Sequence, residues 1–217
     1  EGLDHPYVVD MISSMSQLKR LVIRNTELDF SAGQIWDFSA CKQLEVLKIT
    51  GTNMSALPEI EHCVNLREIQ LTLADKADTD EENSLEDVDW SALSALESLS
   101  ITDSELLGPI PEWIGELSSL EALNPSGNYL SSIPRSISNL TRLRVLDLSY
   151  NDIVDGLQNL AGMTRLETVK LNNNLFSGFF YHHLLSVGRS GVHIDISENA
   201  SFTESAGKRT VTLILDS

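Results

Sequence analysis

Residues 143–153 read LRVLDLSYNDI, with apolar side chains at Leu143, Leu146, Leu148 and Ile153 and an asparagine, Asn151, three places after Leu148. Leu146 and Leu148 flank the polar Asp147, the period-two pattern of a short half-buried strand. Asn151 falls where the chain must turn, and its amide suits bonding to the backbone of a neighbouring turn. The pattern occurs eight times, starting at Leu18, Leu44, Leu66, Leu96, Leu120, Leu143, Leu166 and Gly191. Successive starts lie 22 to 30 residues apart, so each segment reads as one rung of a stacked array.

These rungs resemble leucine-rich repeats. The stretches LLGPIPEWIGELSSL (106–120) and LSSIPRSISNLTRL (130–143) are similar to the plant-specific dialect, which secreted bacterial and protist proteins also use. That likeness covers residues 96–190 well and the first half poorly. The resemblance implies an α/β leucine-rich repeat solenoid: an arc with a parallel concave β-sheet, about eight repeats and an irregular convex side. It divides the chain into an N-terminal cap (1–17), repeats (18–209, with an acidic insertion at 74–89) and a C-terminal capping strand (210–217). Residues 153–166, IVDGLQNLAGMTRL, read as a helical variant of the convex segment. The cysteine-paired caps usual in plant extracellular repeats have no counterpart in the first 17 residues.

Composition narrows the function. Fifteen Lys and Arg stand against 32 Asp and Glu, a formal charge of −17 that would repel nucleic acid and anionic membranes. No apolar run reaches the roughly 18 residues that a spanning helix needs, so no membrane insertion is expected. The opening EGLDHPYVVD has no initiator methionine and reads as a processed or trimmed chain. No nucleophile elbow, Cys–His arrangement or phosphate-cradling glycine loop is present, so the chain reads as a non-enzyme without a cofactor.

In this architecture, residues between the strand leucines project from the concave sheet, the surface that solenoids use for binding. The candidate contacts are Arg20, Arg24 and Lys48, then Gln70, Thr72, Ser100, Thr102 and Asn124, then Asp147, Tyr150, Lys170, Asn172 and Asp195. The first two rungs are basic, the middle is small and hydroxylated, and the last is acidic, which favours an oriented protein or peptide partner. The plainer reading is that serine and threonine simply suit strands and turns. The expected function is a protein- or peptide-binding module, extracellular or at the cell surface, with a cytoplasmic one as the alternative. A glycan-binding adhesion module, assisted by calcium, is the second functional reading.

Calcium enters through the acidic run ADKADTDEENSLEDVD (74–89). Asp78, Asp80, Glu82 and Asp89 follow the spacing of a calcium loop, although Asp89 is shorter than the usual closing glutamate and no flanking helices are evident. A solvated acidic loop is the plainer reading. Cys41 and Cys63 share one column, three residues before their rung's first leucine. Free buried thiols suit that place better than a bridge, because parallel side chains both aim into the core. Three sequons, at Asn53, Asn139 and Asn199, would matter on a eukaryotic secretory route, with Asn139 and Asn53 the expected acceptors.

Other expectations are local. The turn asparagine is replaced by Thr26, Thr52, Ala74 and Ser104 in the first four rungs, so the side-chain ladder should break at Ala74. Pro125 falls where other rungs place the second strand leucine, so a disturbed rung is expected there. Phe38 and Trp90 occupy equivalent core places in a 52-residue echo. Phe176, Phe180 and Leu184 should face the core, and His183 should point outward in the column of Trp113.

Overall fold

The computed structural model describes residues 11–12, 14–24, 36–52, 54–74, 83–176 and 192–199, and the backbone of 212–214. Twelve strands are formed among them: β1 (Arg20–Arg24), β2 (Val46–Thr50), β3 (Glu68–Leu71), β4 (Asn83–Ser84), β5 (Ser98–Ile101), β6 (Leu106–Gly108), β7 (Ala122–Asn124), β8 (Tyr129–Leu130), β9 (Val145–Asp147), β10 (Thr168–Lys170), β11 (His193–Asp195) and β12 (Thr212–Ile214). Nine make one sheet in the order β1-β2-β3-β5-β7-β9-β10-β11-β12. Its first eight strands are parallel, one per repeat, and β12 lies antiparallel to β11. The register stacks like on like: Leu21, Leu47, Ile69, Leu99, Leu123, Leu146, Val169 and Ile194 form one column. From Leu47 onward these side chains are buried, so every rung covers its neighbour's apolar edge.

Behind the sheet the chain turns through 3-10 helices at Leu85–Asp87, Glu112–Glu116, Arg135–Asn139 and Leu157–Leu160. The last of these replaces the helical variant expected over 153–166. Its four residues start after Gly156, whose φ is 97° and whose added Cβ would lie 2.4 Å from the Ile133 carbonyl oxygen. Gly162, at φ 83°, then takes the chain out of helical geometry, which leaves room for one short turn. Pro111 and Pro134 stand immediately before their 3-10 helices, where a missing N–H costs nothing. A second, parallel sheet in the order β4-β6-β8 runs between the concave and convex sides. Nothing in the eleven-residue pattern announced it.

Pro125 disturbs its rung less than its chemistry suggested. Equivalent residues Leu148 and Leu171 donate to the Lys170 and Asp195 carbonyls at 2.8 and 2.7 Å, a bond that proline cannot make. Strand β7 accordingly stops at Asn124, but the ladder resumes where Gly127 donates to the Ser149 carbonyl at 3.0 Å. The proline's own carbonyl accepts from the amides of Asn128 and Asn151 at 3.0 Å each. One donor is lost and the stacking continues.

Phe38 and Trp90 are buried, and Trp36 stacks on Phe38 with ring centroids 5.6 Å apart. Trp113 is half-buried against Trp90 at 5.9 Å, contrary to an outward-pointing column. Its indole N–H reaches the Leu85 carbonyl at 3.3 Å, so the ring covers apolar surface while its polar atom stays bonded. Cys41 and Cys63 are buried thiols with no disulfide between them, and they donate to the Ile12 and Phe38 carbonyls at 3.5 and 3.2 Å. Phe176 is buried as its alignment implied, whereas Phe180, His183 and Leu184 lie outside the described residues.

Candidate ligand-binding surface

The rim of the concave sheet is set by a chain of asparagine amides. Asn174 donates to the Leu148 carbonyl of the preceding rung at 2.8 Å and to Leu171 of its own turn at 3.1 Å, and it accepts from the Ile153 N–H at 3.0 Å. Asn128, Asn151 and Asn199 repeat this pattern, each buried. Ser104 extends it with a hydroxyl that accepts from the Leu73 N–H at 3.0 Å. Ala74 offers no such group, and the ladder ends there. The backbone is left-handed one residue before Ser104 and each of the four asparagines, and also before Thr52 in the second rung: Gly51, Asp103, Gly127, Tyr150, Asn173 and Glu198 have φ between 50° and 70°.

Between the strand leucines, three columns of side chains face the concave side. Arg20, Val22 and Arg24 are exposed on β1, and no ion pair to either arginine is formed among the described residues. Lys48 is more enclosed: its side chain is 14% exposed and its Nζ is bonded to Glu68 on the same face. Gln70, Thr72, Ser100, Thr102, Asn124 and Asn172 are half-buried along the middle of the sheet. Asp147 is buried, with one oxygen taking the Ser149 N–H and hydroxyl at 3.2 and 2.6 Å and the other taking Lys170 Nζ at 2.8 Å. Asp195 caps Ser197 in the same way, and Asn124 caps the Ser126 N–H at 3.1 Å. These three side chains hold turns, a duty that a single rung's sequence does not separate from ligand contact.

A band of ion pairs borders the columns on the side where the strands begin. Lys19 pairs with Glu45 at 3.1 Å, Arg67 with Glu97, and Arg144 with Glu167 through two bonds of 2.8 and 2.9 Å. The Arg144 guanidinium holds the Glu167 carboxyl below its usual range. All are exposed and screened by water, so they add little to stability. They make this edge nearly neutral despite the acidity of the chain.

Of the calcium candidates, Asp78, Asp80 and Glu82 lie outside the described residues. Asp89 is exposed and accepts from the Ser91 N–H at 3.0 Å, and its hydrogen bonds from Ser91 lower its carboxyl. Asp37 does the same for Ser39 at 2.7 Å in a rung with no acidic insertion, so the Asp89 bond is a turn cap of this repeat. Among the described residues, no three His, Cys, Asp or Glu side chains gather to hold an ion. Of the sequons, Asn139 is exposed at the end of its 3-10 helix, Asn199 has its amide bonded inward, and Asn53 lies outside the described residues.

The sequence reading named Tyr150 but overlooked three exposed neighbours. Tyr150 is 61% exposed, and Tyr129, Val154 and Leu175 are 49%, 48% and 47% exposed. They lie beside the concave rim, on the stretch that follows each strand. Aligning the residue after the turn asparagine exposes the signal: Tyr129 and Leu175 stand where rung 6 has Asp152.

A family model for the leucine rich repeat matches residues 94–153. Among solved structures, the chain is similar to a plant ice-binding protein (TM-score 0.66, 21% identity, 89% of this chain and 60% of that one). It is also similar to internalin C2 of Listeria monocytogenes (TM-score 0.63, 17% identity, 93% and 87%). A third likeness is to the plant peptide hormone receptor RGFR1 in complex with RGF2 (TM-score 0.60, 23% identity, 87% and 33%). No curated protein sequence matches the chain. The chain spans less than two thirds of the length of the two plant proteins. Eight stacked strands, the asparagine ladder and these likenesses define the fold: the chain is a leucine-rich repeat solenoid.

Proposed function

We propose that the chain is a non-enzymatic protein- or peptide-binding module, extracellular or at the cell surface, whose ligand lies across the concave sheet. The observation that carries this reading is the set of three side-chain columns on eight parallel strands, with exposed Arg20 and Arg24 at one end and half-buried polar side chains along the middle. Such a face offers many weak contacts in fixed register, which suits an extended or protruding partner. Ser149 and Ser197 donate to carboxylates two residues before them, a local turn bond. Nucleophile activation calls instead for a base oriented by a third group, so recognition is favoured over catalysis. The related receptor is a peptide hormone receptor solved with RGF2, which agrees with this use of the fold.

The test is capture of partners by the immobilised chain from its native medium, followed by mass spectrometry. A protein retained by the parent and by Lys42→Glu, but lost with Arg20→Glu and Arg24→Glu together, supports the concave site. Equal loss with Lys42→Glu, an exposed residue on a turn away from the sheet, would place binding elsewhere.

A further inference from the structure

Beyond the concave face, the stretch that follows each strand carries an apolar surface that folding does not require. Tyr150 takes the left-handed backbone, φ 55°, that rung 5 gives to Gly127 at φ 70°. That conformation is unfavourable for a bulky L-residue, and the exposed ring recovers little through burial. The left-handed turn recurs at Asp103, Asn173 and Glu198, so it belongs to the repeat; what is particular to Tyr150 is a large ring left exposed there. Tyr129, Val154 and Leu175 share the surface. The Asp152, Val154 and Leu175 amides donate to the Leu130, Ser131 and Ile153 carbonyls at 3.0, 3.1 and 3.0 Å, which holds three rungs abreast. Asp152 sits between Tyr129 and Leu175, and Asp103 is exposed two rungs before Tyr150.

Past Val154 the surface runs into a groove of about 370 Å³ beside the convex 3-10 helices. Half-buried Pro109 lines it beside the buried Pro111 and Pro134, and its charged groups are Glu86, Glu112, Asp155 and a single base, Arg135. Apolar rings and prolines set among carboxylates complement a partner that alternates cations with apolar side chains, since aromatic faces and carboxylates both attract guanidinium and ammonium groups. We propose that this lateral patch and its groove form a second docking surface, for an extended basic segment of a partner protein that alternates Arg or Lys with apolar residues.

Fluorescence anisotropy tests it, with a labelled synthetic peptide of alternating arginine and leucine and its glutamate–leucine counterpart, each titrated with the whole chain. The basic peptide should bind and the acidic one should not. Combining Tyr150→Gly with Leu175→Ser should weaken binding by ~10-fold or more. Tyr150→Gly alone should melt no lower than the parent, because glycine accepts the left-handed backbone. Val22→Ser with Val145→Ser, a pair on the concave face, should leave affinity unchanged. The proposal is overturned if the basic peptide does not bind. It is equally overturned if affinity survives the lateral pair, which would reduce binding to attraction by net charge, or if the concave pair causes as large a loss.

Discussion

A carboxamide suits the turn of each later rung because it both donates and accepts in one plane. Asn174 uses both donor hydrogens and its oxygen, tying three backbone carbonyls and the Ile153 N–H. Those groups are buried, so truncation leaves them without water or partner. Asn174→Ala should therefore cost roughly 3 kcal/mol. The exposed Asn65, which makes one bond to the Lys42 carbonyl at 2.7 Å, should cost about 0.5 kcal/mol when changed to alanine. Urea denaturation of the two variants beside the parent measures the difference, and similar losses would mean that the amide ladder adds little.

At the scale of elements, the convex helices are short, and one of them takes its cap from a neighbouring rung. Glu112 accepts from the Arg135 and Ser136 N–H groups at 3.3 and 2.9 Å, at the start of the helix Arg135–Asn139. Hydrogen bonds from Ser136 hold its carboxyl below the ordinary 4.5. A carboxyl lowered on folding adds stability above its unfolded value, and that stability is lost as pH falls through the folded value. The parent should thus melt above Glu112→Gln near neutral pH, and the gap should close as pH falls below 4.5. Thermal melts across that range check it; a gap that persists in acid would assign the effect to packing. The group is exposed, so the effect is small.

Across the whole molecule, stability is a sum of rung-to-rung contacts, and the middle rungs have the most to lose. Leu148 is fully buried between the rungs of Leu123 and Val169. Leu148→Asp would bury a carboxylate without a partner and should cost several kcal/mol, on the order of the penalty for an unpaired charge. Circular dichroism and the melting curve should show loss of much of the sheet. A near-native melt would mean that the register assigned to rung 6 is wrong.

The eight parallel strands, their in-register leucines and the buried asparagines were legible in the sequence, because each is repeated eight or four times at one period. The columns of the concave face were legible for the same reason. What each polar side chain does there was not. Asp147 and Lys170 are both polar and alternate with leucines, yet only neighbouring rungs decide that they bond each other and that Ser149 occupies the remaining oxygen. Lys48 likewise read as a free cation until the adjacent strand placed Glu68 beside it. The lateral surface also depended on stacking, since Tyr129, Tyr150, Val154 and Leu175 are spread over 47 residues of chain. Within one rung, the repeat period dictates which side chains are buried, because burial follows from local geometry. Which polar groups remain available to a partner depends on contacts between rungs, so tertiary structure alone decided it.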